Sequence, residues 1–90
     1  MRYVVSYDIA DDRRRDRVAE MLKGFGRRIQ ESVFLAELDE ELASEMRSRF
    51  GKMLHGEDCG HVFVICGACI DRAEVFGRGQ LESDSDFYIV

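Results

Sequence analysis

Asp8, set between Tyr7 and Ile9, is followed by Asp11 and Asp12 and then by four arginines, Arg13, Arg14, Arg15 and Arg17. A carboxylate at the end of a first strand, where the chain turns into a helix, stands at a common position for functional groups in α/β architectures. Asp8 could hold a hard cation such as Mg2+, which takes oxygen ligands and is satisfied by one or two carboxylates plus water. It could equally cap the helix or pair with an arginine. Asp11 and Asp12 suit capping and the positive end of the helix dipole better than ligation. The arginines spread over several helix faces, and only Arg13 and Arg17 share a line at i, i+4. A solvated, salt-bridged face therefore competes with phosphate binding by planar guanidinium groups. Arg27 and Arg28 add positive charge further along.

Cys66-Gly67-Ala68-Cys69 has the spacing of half a zinc site or of a redox pair. No second pair completes a zinc site, and Cys59 and His61 fall outside the usual partner spacings. On spacing the pair closes a strand, whereas a low-pKa thiol wants a helix opening after it, so buried structural thiols are expected. Three cysteines cannot all pair within one chain, which argues against a secreted disulfide scaffold. His55 and His61 stand alone without a nucleophile. Gly24-Phe25-Gly26 follows a helix instead of preceding one, so it is not a phosphate-cradling loop.

The elements that position these residues are readable from hydrophobic periodicity. Residues 2–9 form a β-rich run with Tyr3, Val5 and Tyr7 on one face, which predicts an interior strand. Asp11 or Asp12 caps a helix with Val18, Met21, Leu22 and Phe25 on its buried stripe. A second β segment runs from Arg28 to about Leu38, interrupted at Gln30-Glu31-Ser32 by a bulge or a tight hairpin. The next helix begins near Asp39, with Leu42, Met46, Phe50 and Met53 at helical spacing, and stops before Gly56. His61–Gly67 is an almost unbroken apolar run, the pattern of a strand covered on both faces. Ala73–Phe76 reads as a short further strand. An acidic loop at 80–86 then leads to a terminal apolar strand, Phe87–Val90. Helices on one face of a small sheet, an α+β or α/β sandwich, are the expected architecture.

The 90 residues, 46% hydrophobic and 34% charged, suffice for one domain spanning 1–90, with its core in 1–79. Oligomerisation would help so small a domain. With neither a membrane-length apolar run nor a signal-like opening, a soluble cytoplasmic protein is expected. The net charge of −5 hides a gradient: residues 1–30 carry eight Lys/Arg against five Asp/Glu, while the remaining two thirds are acidic. Any nucleic-acid surface must draw mainly on the first third.

The block Tyr7-Asp8-Ile9-x-Asp11-Asp12-Arg13-Arg14-Arg15-x-Arg17-Val18-Ala19 resembles the opening of the small CRISPR-associated adaptation endonuclease family, the "Cas-two" proteins. Phe25-Gly26-x-Arg28-Ile29-Gln30-x-Ser32-Val33-Phe34 and Glu37-Leu38 continue the resemblance. So do the strand from His61 to Cys66 with Cys69, the Gly77-x-Gly79 turn and the apolar terminal strand. The resemblance implies a ferredoxin-like β-α-β-β-α-β sandwich with an antiparallel sheet, working as a two-fold homodimer. It also implies that Asp8 is both the metal ligand and the catalytic carboxylate, two copies facing each other across the dimer axis around one Mg2+ or Mn2+. Tyr7, Arg15, Arg17, Arg28 and Phe34 become the residues expected at nucleic acid, the arginines on phosphates and the rings stacking bases or packing the interface. The implied activity is metal-dependent cleavage of RNA or DNA, together with a scaffolding role beside the CRISPR-associated integrase in spacer acquisition. The alternatives are a non-catalytic nucleic-acid-binding scaffold and a related toxin-type messenger-RNA interferase. Phe87–Val90 is too short to be stable by itself, and it is expected to add to the edge of the partner's sheet.

Overall fold

The computed structural model describes residues 1–72, 74 and 76. The element order is β1 (Arg2–Asp8), α1 (Asp12–Lys23), β2 (Arg27–Gln30), β3 (Val33–Glu37), α2 (Glu40–Met53), β4 (Cys59–Ile65) and a single helical turn, α3 (Gly67–Ile70). The four strands form one sheet in the order β2-β3-β1-β4, with every pairing antiparallel. This is the ferredoxin-like β-α-β-β-α-β arrangement. The polar interruption expected near residue 31 proves to be a hairpin turn at Glu31-Ser32, with an irregularity of register between Arg28 and Gln30.

β1 is interior, as its pattern requires, with neighbours on both edges. Directly opposed residues of an antiparallel pair share a face, and Tyr3 opposes Ala36 while Val5 opposes Phe34. These four are all buried against the helices, where Val18, Ala19 and Leu22 of α1 meet Ala43, Met46 and Phe50 of α2. Asp11 caps α1, its side chain accepting from the Arg14 amide at 2.8 Å. Asp39 does the same for α2 through the Leu42 amide, also at 2.8 Å. Gly60 faces Tyr7 across the sheet, and a Cβ there would lie 2.6 Å from the Phe50 ring, so α2 is packed closely onto β4 at that point.

Three expectations are corrected. β4 starts at Cys59 and is, among the described residues, an edge strand, and its Phe63 and Val64 are more than half exposed, so it is not covered on both faces. Leu42 is also exposed, because the inward stripe of α2 runs through Ala43, Met46 and Phe50 and leaves Leu42 on its flank. Cys66 and Cys69 are exposed free thiols, since the strand ends at Ile65 and the chain enters a helical turn directly after Cys66. Of the strand expected at 73–76, Glu74 and Phe76 lie outside any regular element, and the other two residues fall outside the described ones. The acidic loop 80–86 and the terminal strand 87–90 also lie outside the described residues. Among the described residues no helix is long and apolar enough to cross a membrane.

Candidate functional site

Asp8 ends β1, opposite Cys59 of β4, and its side chain is exposed. Alternation along β1 buries Tyr3, Val5 and Tyr7, and Asp8 is the next residue, where the strand leaves the sheet. Ile9 turns back into the core at 3% exposure, which fixes the backbone on the other side of the carboxylate. Among the described residues Asp8 makes no hydrogen bond or ion pair, so neither the capping role nor the arginine-paired role is realised.

An open depression of about 520 Å³ surrounds it, with Tyr7, Arg15, Asp16, Arg28 and Glu31 on its walls. Three elements meet here: the end of β1, the first turns of α1 and the β2–β3 hairpin. The hairpin is attached to β1 by the Tyr7 amide, which donates to the Ser32 carbonyl at 3.1 Å. Arg15 is oriented by two acceptors, the Ile9 carbonyl at 3.0 Å and the Asp12 carboxylate. Arg28 lies directly across from Phe34, its guanidinium carbon 5.4 Å from the ring centroid, a cation–π placement. Phe34 in turn stacks with Tyr7, their centroids 6.3 Å apart.

Of the residues expected to act, Tyr7, Asp8, Arg15 and Arg28 are brought together at this depression. Arg17 is exposed on α1 and does not line it. Phe34 is buried to 1% exposure and Tyr7 to 5%, so within this chain neither ring presents an open face, and of the two roles expected for them packing suits this placement better than stacking bases. Within this chain they form a stacked support under Arg28. The Tyr7 hydroxyl is buried without a hydrogen-bond partner among the described residues.

The residue-by-residue reading missed one conspicuous ion pair. Asp58, its side chain 5% exposed, receives Nε of Arg14 at 2.5 Å and Nη2 at 3.1 Å, and also accepts from the His55 amide at 3.0 Å. Those hydrogen bonds, from Arg14 first and His55 second, hold the Asp58 carboxyl below its ordinary range. The same contact raises the Arg14 guanidinium. The pair ties α1 to the loop leading into β4, and so sets the first helical turns, with Arg15, relative to the sheet. Nothing in the sequence signals a pairing across 44 positions. The roles of Asp16 and Glu31 as acidic walls of the depression were also unmarked, since neither belongs to a recognisable spacing.

Among the described residues no group of three or more His, Cys, Asp or Glu side chains is placed to hold a metal ion. The Asp8 carboxylate is accessible and without a hydrogen-bond partner among the described residues, which fits a Mg2+-type ion that keeps most of its waters.

Residues 1–73 match the family described as CRISPR associated protein Cas2. The chain is 33% identical to a CRISPR-associated endoribonuclease, Cas2 1, of Chloroflexus aurantiacus over the full length of both. It is 44% identical to a CRISPR-associated endoribonuclease Cas2 of Thermus thermophilus, with 93% of each chain covered. Among solved structures, a hypothetical protein from Thermus thermophilus superposes with a TM-score of 0.78 at 41% identity, covering 89% of this chain and 94% of the other. Streptococcus pyogenes Cas2 superposes with a TM-score of 0.77 at 22% identity, covering 86% and 100% respectively, a likeness of fold. The motif around Asp8, the strand order and these matches agree, and the chain belongs to the Cas2 family of CRISPR-associated proteins.

Proposed function

We propose that this protein acts in CRISPR adaptation as a symmetric homodimer in which the two Asp8 carboxylates, one from each protomer, hold one Mg2+ or Mn2+ for phosphodiester cleavage of RNA or DNA. The observation that carries this reading is the exposed, unpartnered carboxylate of Asp8 in a depression that also presents Arg15 and Arg28. A two-fold axis doubles every contribution, so a single acidic residue per chain becomes a two-carboxylate site without further acids. When bound, the divalent ion supplies Lewis acidity toward the phosphodiester and lowers the pKa of a coordinated water. Arg15 and Arg28 bind phosphate oxygens, each already oriented, one by the Ile9 carbonyl and the other by the Phe34 ring. Arg17, exposed further along α1, extends the basic strip toward neighbouring phosphates. Tyr7 and Phe34 keep this strip in place from beneath. The endoribonuclease names of the relatives agree with cleavage as the activity.

Dimerisation is supported by the edge of β4, unpaired among the described residues, and by its Phe63 and Val64, 52% and 59% exposed. A strand from a second copy, Phe87–Val90, would complete that edge and cover these side chains. The assembled dimer would then serve as the scaffold that the CRISPR-associated integrase grips, in the cytoplasm where its nucleic-acid substrates are.

The direct test compares wild type with Asp8→Asn on labelled RNA and on duplex DNA, with and without Mg2+. Cleavage should require the metal and fall at least tenfold in the variant. Equal cleavage by both proteins removes Asp8 from the mechanism. No cleavage by either under any divalent metal, with integrase binding intact, leaves the scaffold role as the function.

A further inference from the structure

The C-x-x-C pair takes no part in the depression around Asp8. It sits at the far end of β4, where Cys66 precedes α3 and Cys69 lies within it. The turn is closely fixed. The Cys69 amide donates to the Cys66 carbonyl at 3.1 Å, the Asp71 amide to the Gly67 carbonyl at 3.1 Å, and the Arg72 amide to the Cys69 carbonyl at 3.1 Å. Gly67 lies close enough to β1 that a Cβ on it would meet the Arg2 guanidinium at 3.3 Å. On this turn the Cys66 and Cys69 sulfurs are 3.2 Å apart, in direct hydrogen-bond contact, and both thiols are exposed. A structural thiol pair would be buried among apolar side chains, as the sequence pattern suggested. An exposed, preorganised, vicinal pair has the geometry for exchange chemistry instead.

We propose that Cys66 and Cys69 form a reversible dithiol–disulfide site that exchanges with low-molecular-weight disulfides such as oxidised glutathione. In the forward direction the Cys66 sulfur, as thiolate, attacks one sulfur of the external disulfide. That S–S bond breaks, the first glutathione leaves and takes up a proton, and a mixed disulfide remains on Cys66. Cys69 then loses its proton and attacks the Cys66 sulfur, forming the internal S–S bond and releasing the second glutathione. Two cysteine thiols are oxidised, and one glutathione disulfide is reduced to two thiols. Closure needs the sulfurs to move from 3.2 Å to a bond of about 2.0 Å, a shift within the reach of side-chain rotation. The order of attack follows the local electrostatics. The contact between the two thiols, and after it the Cys69 backbone amide, lower the Cys66 thiol, while the same sulfur contact raises Cys69. Closing the bond locks the helical turn that follows β4.

The test uses the purified full chain, reduced and freed of reductant, then incubated in fixed ratios of oxidised to reduced glutathione. After acid quenching and alkylation, peptide mass spectrometry should show Cys66 and Cys69 joined within one chain, lighter by two hydrogens, with Cys59 alkylated. Excess reduced glutathione should restore both thiols. Cys69→Ser should trap glutathione on Cys66. In the reduced wild type, which needs no substitution to fold, Cys66 should alkylate several-fold faster than Cys69 near neutral pH. The proposal is overturned if both thiols stay free in excess oxidised glutathione, if disulfides form only between chains, or if the two cysteines alkylate at equal rates.

Discussion

Tyr3, Val5, Phe34 and Ala36 look toward the helices from the sheet, and none is more than 4% exposed. On the opposite face the register lines up Leu35, Val4 and Phe63 in one row across three strands. Leu35 is buried, Val4 is half-buried, and Phe63 is 52% exposed with the His61 ring stacked on it at 5.8 Å between centroids. Both faces carry apolar rows, yet among the described residues only one is covered by helices, and on both the β4 end is open, Val64 on the helix side being 59% exposed. The helix face carries the folding free energy of the single chain, and the open face with the β4 edge is where the proposed second copy adds to it. The Asp8 site follows the same division: its support lies in the closed layer, through Tyr7 and Phe34, while its carboxylate and guanidinium groups face outward.

Substitutions on the two faces should therefore separate stability from assembly. Leu22→Ala empties a fully buried site between α1 and the sheet and should destabilise by about 2–5 kcal/mol, measured by denaturant unfolding. Phe63→Ala should cost well under half of that in unfolding of the single chain, and instead weaken self-association in sedimentation experiments. Deleting Phe87–Val90 should weaken self-association in the same way. Equal unfolding losses for Leu22→Ala and Phe63→Ala would erase the distinction between the faces.

Asp58→Asn should come next in size. The folded state holds this carboxyl below its ordinary value of 3.8, so the pair with Arg14 stabilises the protein above about pH 4. That stabilisation is lost as pH falls through the lowered value. The Tm difference between wild type and variant should be largest near neutrality and shrink in acid, and a difference that grows toward acid contradicts the assignment. On the nucleic-acid side, Arg15→Ala and Arg28→Ala should each reduce the slope of log Kobs against log salt by about one, with the fold unchanged. An unaltered slope places both arginines away from phosphate. The smallest effect belongs to Glu45→Ala, which removes an exposed i, i+4 pair with Arg49 and should cost about 0.3–0.5 kcal/mol.

The closed face was the legible one. Period-two alternation marks β1, and the stripe of Val18 and Leu22 marks α1, because both patterns arise from burial against elements of the same chain. Asp11 and Asp39 are readable as caps from their place before the first helical turn. What escaped depends on contacts distant in sequence or on the chain's edges. The Arg14–Asp58 pair has no local signature. Phe34, grouped with the interface residues by resemblance, is core because its strand pairs with Val5. The apolar run from His61 onward looks the same whether a second layer belongs to this chain or to another, so β4 reads as fully covered although its Phe63 and Val64 are more than half exposed. The Cys66-Cys69 pair was misread for a related reason: the point where a strand gives way to a helical turn is set by hydrogen bonding that apolar periodicity does not encode.

The central claim is that Asp8 contributes to a divalent-cation site shared by two chains. Calorimetric titration of the purified dimer with Mn2+ tests it most directly. The account predicts saturation at one ion per two chains for wild type and loss of that binding in Asp8→Asn with the dimer intact. One ion per chain, or unchanged binding in the variant, would contradict it.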